Sequence, residues 1–288
     1  MRAAVTDGYD PIDWQRTKIF LRGVLLGCEI FSAPEMSSTQ IPAKEAARNS
    51  APHGAVFVTD FQSSGRGRRD RGWHSVPGRD LMFSVVLRPE IERRHAPLLN
   101  LAAALAVVRA VGRVAPDVPG VSIKWPNDVL AGEKKEKKIC GIICESAGSD
   151  ARLDYAVVGI GVNVNRTADE LPEPDSPDRP GATSLRVESA RSGGDEKIFD
   201  LPELLGLTLA ELDSIVRMTE TESGRRDLAD AYAVHCGTLG KIVRVVADDG
   251  EYRGIAARVS PDGALVVRTE EGEKIFHAAD VVHIRPAG

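Results

Sequence analysis

At Gly237 the apolar residues of this chain change rhythm. Before it they recur mostly in three- and four-residue steps or in short unbroken runs; after it they alternate. GKIVRVV at 240–246, EYRGIAARV at 251–259, ALVVRT at 264–269, KIF at 274–276 and VVHIR at 281–285 are separated by the turns ADDG, SPDG and EEGE. Five short strands in about 50 residues, joined by D-G and E-G turns, predict a small antiparallel barrel. The chain therefore divides into a unit over 1–236 and a barrel over 237–288.

The larger unit mixes helices and strands. Residues 12–28 have a helical pattern. LMFSVVL at 81–87 is apolar and β-branched between Gly78 and Pro89, as a buried strand is. In the segment that follows, Leu98, Leu101, Leu105 and Val108 give a core helix. Val121–Trp125, Ile139–Cys144 and Tyr155–Val164 are further strands, the first stopped by Pro126. RTADELPEPDSPDRPGATSL at 166–185 holds four prolines and five acids. It predicts a long mobile loop, to about residue 197, with little to bury. Asp200, Pro202 and Glu203 then cap a helix with Leu201, Leu205, Leu212 and Val216 as its apolar stripe. A second helix runs to about Cys236.

Apolar residues at 42% are enough for a core, and a net charge of −5 is the wrong sign for a general nucleic-acid coat. No unbroken apolar run approaches the roughly 18 residues of a membrane span. Asp7, Asp10 and Asp13 near the start do not fit a secretory signal. The four cysteines form no C-x-x-C pair, and Cys140 and Cys144 fit buried small hydrophobes better than metal ligands. Together these features predict a cytoplasmic protein.

Four segments carry chemistry. QSSGRGRRDRGW at 62–73 packs four arginines and three glycines into residues 65–72. Glycines let a backbone come close to a ligand, arginine forks suit phosphate and carboxylate, and Trp73 adds a flat apolar wall. It is neither a Walker A loop nor a dinucleotide fingerprint, and a solvated basic loop or an RNA patch stays open. KWPND at 124–128 puts Asn127 and Asp128 at a strand end, where they form a plain turn or hold a ribose, an adenine edge or a hydrated metal. Lys138, the last of four lysines, precedes the strand ICGIICE and its Gly141. It is either a solvated charge or a partner for a bound carboxylate. SSTQ at 37–40 is a helix N-cap or a contact for a neutral polar ligand. Of the histidines, only His74 adjoins these segments, and none is assigned a role.

In this order SSTQ, the arginine-rich segment, KWPND, KICGIICE at 138–145, GIGVNV at 159–164 and the C-terminal barrel resemble biotin protein ligases over about 250 residues. The resemblance implies an α+β fold. Its catalytic domain is like class II aminoacyl-tRNA synthetases, with a mixed sheet flanked by helices, and is followed by an SH3-like barrel. It implies that biotin and Mg-ATP form biotinyl-5′-AMP and that a lysine of a biotin carboxyl carrier domain of acyl-CoA carboxylases then takes the biotin. Lys138, Arg66 and Arg68 match the catalytic cations. Ser38, Thr39, Gln62, Gly65, Arg66, Trp73, Lys138 and Gly141 match the biotin site. Arg68, Arg71, Trp73, Asn127, Asp128 and Asn163 match the nucleotide side, with Asp128 also placed for Mg2+. ATP, Mg2+ and biotin are the expected small molecules.

Two features depart from the family pattern. Asp70 replaces the usual loop glycine. Only about 35 residues precede SSTQ, too few for the winged helix-turn-helix of the repressor members, a unit of about 60 residues. No DNA and no membrane partner is expected, and the chain is expected to be a monomer or homodimer. A lipoate or octanoate ligase of the same fold, a non-enzymatic RNA-binding module and an inactive biotin sensor are the alternatives. The main reading requires the Arg66 guanidinium and the Lys138 ammonium to meet at one pocket.

Overall fold

The computed structural model describes residues 9–67, 72–133, 136–149, 151–174, 176, 179–193, 197–277 and 279–283. Seven strands form a mixed sheet. They are β1 (Ile30–Met36), β2 (Val56–Gln62), β5 (Asp80–Leu87), β6 (Ser122–Lys124), β7 (Asp128–Ala131), β8 (Lys137–Ser149) and β9 (Arg152–Asn163), in the order β1-β2-β5-β9-β8-β7-β6. Only β1 and β2 run parallel; every other neighbouring pair is antiparallel. Two further short strands, β3 (Gly65–Arg66) and β4 (Gly72–Trp73), pair with each other and fold the arginine-rich segment into a hairpin.

The apolar run of β5 is buried along its whole length, as a strand covered on both faces must be. Side chains alternate between faces. Leu81, Phe83, Val85 and Leu87 enter the main core with α2 (Leu98–Val114), α4 (Leu201–Met218) and α5 (Glu222–His235). On the other face Val86, Phe57 and Val157 pack with Ala43 and Ala47 of α1 (Gln40–Arg48). The α1 face is also where small residues gather. Ser84 stands opposite Gly159, and Gly141 opposite Gly161, so all four share that face. The result is a shallow floor beside α1.

Several expectations need correction. Residues 12–28 are helical only over a 3-10 turn, Trp14–Phe20, because Gly23 and Gly27 take φ values of 73° and 84° that a right-handed helix excludes. The 166–197 stretch is not all loop. Ser184 caps α3 (Leu185–Arg191), and Arg166, Thr183 and Ser184 are buried. In SSTQ the cap bond comes from Ser38, whose Oγ accepts from the Gln40 N–H at 3.4 Å; Thr39 has the N-cap position, but its hydroxyl faces Ser84 and Gln62. The segment Arg93–Val114 is long and apolar enough to cross a membrane, a match the run-length reading missed. In the fold, 67% of its apolar window is buried as core. Asp200 does cap α4, accepting from the Glu203 N–H.

The C-terminal strands form a five-stranded antiparallel sheet: β10 (Ile242–Ala247), β11 (Gly250–Val259), β12 (Leu265–Thr269), β13 (Gly272–Phe276) and β14 (Asp280–His283), ordered β13-β12-β11-β10-β14. The outer strands β13 and β14 do not pair among the described residues, so the sheet is open where a closed barrel was expected. It is nonetheless curled. Phe276 and Asp280 are four residues apart and so at most about 15 Å apart, whereas a flat sheet would separate its edge strands by about 19 Å.

Candidate active site

The α1-face floor lies under the arginine-rich hairpin. Gly65 pairs with Trp73, and a Cβ at Gly65 would come within 2.6 Å of the Trp73 carbonyl; only glycine lets the two strands approach this closely. The Trp73 indole rests on the floor. Added Cβ atoms would meet it at 2.6 Å from Gly161 and 2.9 Å from Gly141. Its buried Nε1–H has no hydrogen-bond partner among the described residues. The Lys138 ammonium is 5.7 Å from the ring centre and 2.7 Å from Asp128 Oδ1.

Beneath the indole is an inner cavity of about 50 Å3, lined in part by Thr39, Gln62, Arg66, Ser84, Lys138 and Gly141. Arg66 and Lys138 thus both line one pocket. Its far end is polar and tightly bonded. The Thr39 backbone N–H donates to Gln62 Oε1 at 2.8 Å, and the Thr39 and Ser84 hydroxyls are 2.8 Å apart. Ser38 is buried beside them.

A wider cleft of about 760 Å3 opens outward from it. Trp73, Asn127, Asp128 and Lys138 line one part, Pro172, Glu173, Pro174, Arg179, Pro180 and Ala182 another, and residues 279–282 of the C-terminal sheet a third. The KWPND turn is zipped to β8: Asn127 Nδ2 donates to the Ile142 carbonyl at 2.9 Å and the Ile142 N–H donates to the Asn127 carbonyl at 3.0 Å. The Trp125–Pro126 peptide is cis. Trp125 lines the wide cleft only in part. It is buried, donating from its indole to the Gly263 carbonyl and from its backbone to Thr238 Oγ1, which joins the turn to the C-terminal sheet. Burial pulls the Lys124 pKa down, partly offset by the Asp128 carboxylate.

Asn163, expected on the nucleotide side, does line this cleft. Its amide nitrogen, however, is committed to the Thr183 carbonyl at 3.0 Å. That leaves it holding the 166–183 segment against the sheet. Arg68 and Arg71, with Asp70, lie outside the described residues. Asp128 is the expected metal ligand, yet its carboxylate is paired with Lys138, and among the described residues no three His, Cys, Asp or Glu side chains converge on one point.

Sequence reasoning missed a buried cluster at the rim. Arg166 and Asp80 are fully buried and bonded: Nε reaches both carboxylate oxygens at 2.8 Å, and Nη2 reaches Oδ2 at 2.6 Å. Nη2 also donates to the His74 carbonyl. Nη1 lies 3.2 Å from His74 Nδ1; a guanidinium only donates, so that nitrogen is an acceptor and its proton sits on Nε2. The sequence did hold a signal. An aspartate opening an otherwise apolar strand needs a buried cation somewhere.

Residues 33–163 match the model of the Biotin/lipoate A/B protein ligase family, and residues 238–284 match the Biotin protein ligase C terminal domain. A biotin--[acetyl-CoA-carboxylase] ligase of Paracoccus denitrificans is 31% identical, over 76% of this chain and 86% of its own length. The chain belongs to the biotin protein ligase family. A bifunctional ligase/repressor BirA of Bacillus spizizenii is 35% identical over 91% of this chain and 76% of that protein. Among solved structures, the biotin protein ligase from Aquifex aeolicus in complex with biotin and ATP superposes with a TM-score of 0.69 at 27% identity, covering 90% of this chain and all of that one. Membership in the biotin protein ligase family agrees with the mixed sheet, the C-terminal sheet and the placement of the arginine-rich hairpin over the glycine floor.

Proposed function

We propose that this chain joins biotin to a lysine of a biotin carboxyl carrier domain, using ATP and passing through biotinyl-5′-AMP. The observation that carries the reading is that Arg66 and Lys138 line one pocket over a small-residue floor. In the first step a carboxylate oxygen of biotin bonds to the α-phosphorus of ATP, and the bond to pyrophosphate breaks. Both reactants are anionic, so fixed positive charge where they meet lowers the barrier. Lys138 and Arg66 supply it, with Arg68 from the same segment as the third expected cation. In the second step the carrier amine attacks the biotinyl carbonyl, AMP leaves, and an amide remains.

Thr39, Gln62, Ser38 and the backbone at Gly65 and Arg66 take the neutral ureido ring. Gly141 and Gly161 give its bicycle a flat floor. With the indole on that floor, the inner cavity has room for a water or two, so biotin enters by displacing Trp73, which then becomes its wall. Asn127, Asp128, Pro172 and Pro180 face the adenylate, with Asn163 behind them and Arg71 as a further expected contact. Mg2+ neutralises phosphate charge when bound. Asp128 fits it as a single ligand to an ion carried by ATP rather than as part of a protein cage. The finer architecture we assign is a class II synthetase-like domain to residue 236 and an SH3-like unit after it.

A lipoate or octanoate ligase has no use for the donor and acceptor pair at Gln62 and Thr39, because those acyl chains carry nothing to match it. The test is direct. Protein, biotin, Mg-ATP and a carrier domain are expected to yield a biotinylated carrier lysine, with octanoate and lipoate not incorporated. Labelling by lipoate alone, or by none of the three, overturns the reading. Gly161→Ala is expected to weaken biotin binding about tenfold or more, since forcing a carbon into filled space costs roughly 1–3 kcal/mol. Calorimetric titration with biotin checks this, with Gly112→Ala on α2, where a Cβ meets nothing within 4 Å, expected to bind as the parent does.

A further inference from the structure

At the polar end of the inner pocket, two lining residues with no assigned role form a directional chain of hydrogen bonds. Gln40 Nε2 donates to the Val157 carbonyl at 3.0 Å. A backbone carbonyl only accepts, so this contact fixes which end of the amide faces which way. Gln40 Oε1 therefore faces Ser84, whose hydroxyl donates to it at 2.9 Å. Gly159 makes the arrangement possible: a Cβ there would stand 2.6 Å from Gln40 Oε1 and 3.3 Å from Ser84 Oγ.

With the Ser84 proton committed to Gln40, the Ser84 oxygen can only accept from Thr39. The Thr39 hydroxyl has two acceptors inside the protein, Ser84 Oγ at 2.8 Å and Gln62 Oε1 at 3.3 Å. The nearer, Ser84 Oγ, takes its proton. Thr39 Oγ1 then presents only lone pairs to the cavity. Gln62 Oε1, in turn, is held by the Thr39 N–H at 2.8 Å, which leaves the Gln62 amide nitrogen as the donor beside it.

We propose that Gln40 and Ser84 are specificity-determining positioning residues: they lock Thr39 as an acceptor, so that the pocket demands a ring N–H at that point and rejects a ring oxygen. The inference rests on the biotin reading above and deepens it. Neither residue touches the reacting carboxylate; they act through Thr39. The discrimination arises because an oxygen placed against Thr39 Oγ1 sets lone pair against lone pair in a buried site. Sites built around a hydrogen bond reject an analogue lacking it by up to about 10⁴-fold.

The experiment uses the full chain, biotin, and the two cyclic carbamate analogues in which one or the other ureido N–H is replaced by oxygen. The parent protein is expected to bind at least one carbamate about 100-fold or more weakly than biotin. Ser84→Ala leaves Thr39 only its longer partner and lets the hydroxyl turn its proton into the cavity. Gln40→Met removes the acceptor that orients Ser84 while keeping the side-chain length. Each is expected to narrow the biotin-to-carbamate ratio about tenfold, one bond's worth of discrimination, with the KM for ATP within about twofold of the parent. Parent protein that binds both carbamates as well as biotin overturns the inference, whether or not either variant folds. So does a folded variant, judged by its thermal transition, that keeps the parent ratio. Protein that binds no biotin at all instead overturns the biotin reading, so the two failures are distinct.

Discussion

Lys138→Ala lowers the rate of biotinyl-5′-AMP formation about 100-fold or more, the range typical for removing one group aimed at developing charge in a dry site. Its ammonium lies between the Asp128 carboxylate at 2.7 Å and the Trp73 ring, with a Gly141 Cβ position only 3.0 Å away. Each of those neighbours restricts where it can go. Asp128 holds it here, and the same ammonium is the cation on the floor side that a substrate carboxylate meets. The loss is expected to fall on the biotin KM and on adenylate formation, with the KM for ATP moving only a few-fold. Lys138→Arg is expected to restore little, because a planar fork does not fit where a compact ammonium sits against glycine and indole. Biotin-dependent exchange of pyrophosphate into ATP measures the step. A variant within threefold of the parent means that Arg66 and the rest of the arginine segment suffice and that Lys138 only anchors Asp128.

The parts of this site legible in the sequence were those whose residue types are chemically extreme. An arginine and glycine run, a lysine at a strand mouth beside a glycine, and a proline breaking a strand all constrain local structure strongly. They pointed to Arg66, Trp73, Asn127 and Lys138 before any coordinate was available, and all four line the inner pocket. The elements read well for a similar reason: the unbroken β5 run and the α2 periodicity leave little choice. What stayed hidden depends on partners far away in the chain. Nothing local in Arg166 says that it is buried; it stands 86 positions from the Asp80 carboxylate it meets. Ser84 is one polar residue in an apolar strand, and its meaning comes from Gln40, 44 positions earlier. Trp125 read only as the end of a strand, and its bond to the Gly263 carbonyl, 138 positions away, has no local signal. The barrel expectation failed only in closure. Alternation specifies strands and their turns, but whether the two edge strands hydrogen-bond depends on curvature, and no alternating pattern encodes that.

Arg166→Met is expected to cost about 3–5 kcal/mol of stability, because it strands the Asp80 carboxylate in the interior. For a chain of this size that lowers the thermal midpoint by about 5–8 °C. The informative variant is the double one, Asp80→Leu with Arg166→Met. Replacing both members of a buried ion pair by apolar side chains is often nearly neutral, so most of the lost stability is expected to return. Activity is not. The guanidinium also bonds the His74 carbonyl, the residue after Trp73, and lies 3.5 Å from the Glu170 carbonyl. It thereby ties the base of the arginine-rich hairpin to the start of the 166–183 segment, the two stretches that flank the cleft. Without that tie Trp73 loses its fixed seat, and biotinyl-5′-AMP is expected to escape before transfer. In the double variant the ratio of released adenylate to biotinylated carrier is therefore expected to rise about tenfold, one charged hydrogen bond's worth, while the thermal midpoint approaches that of the parent. A double variant with the parent's ratio reduces the pair to a stability element. A single variant that melts with the parent shows that the carboxylate finds another partner and that the tie is not where the stability lies.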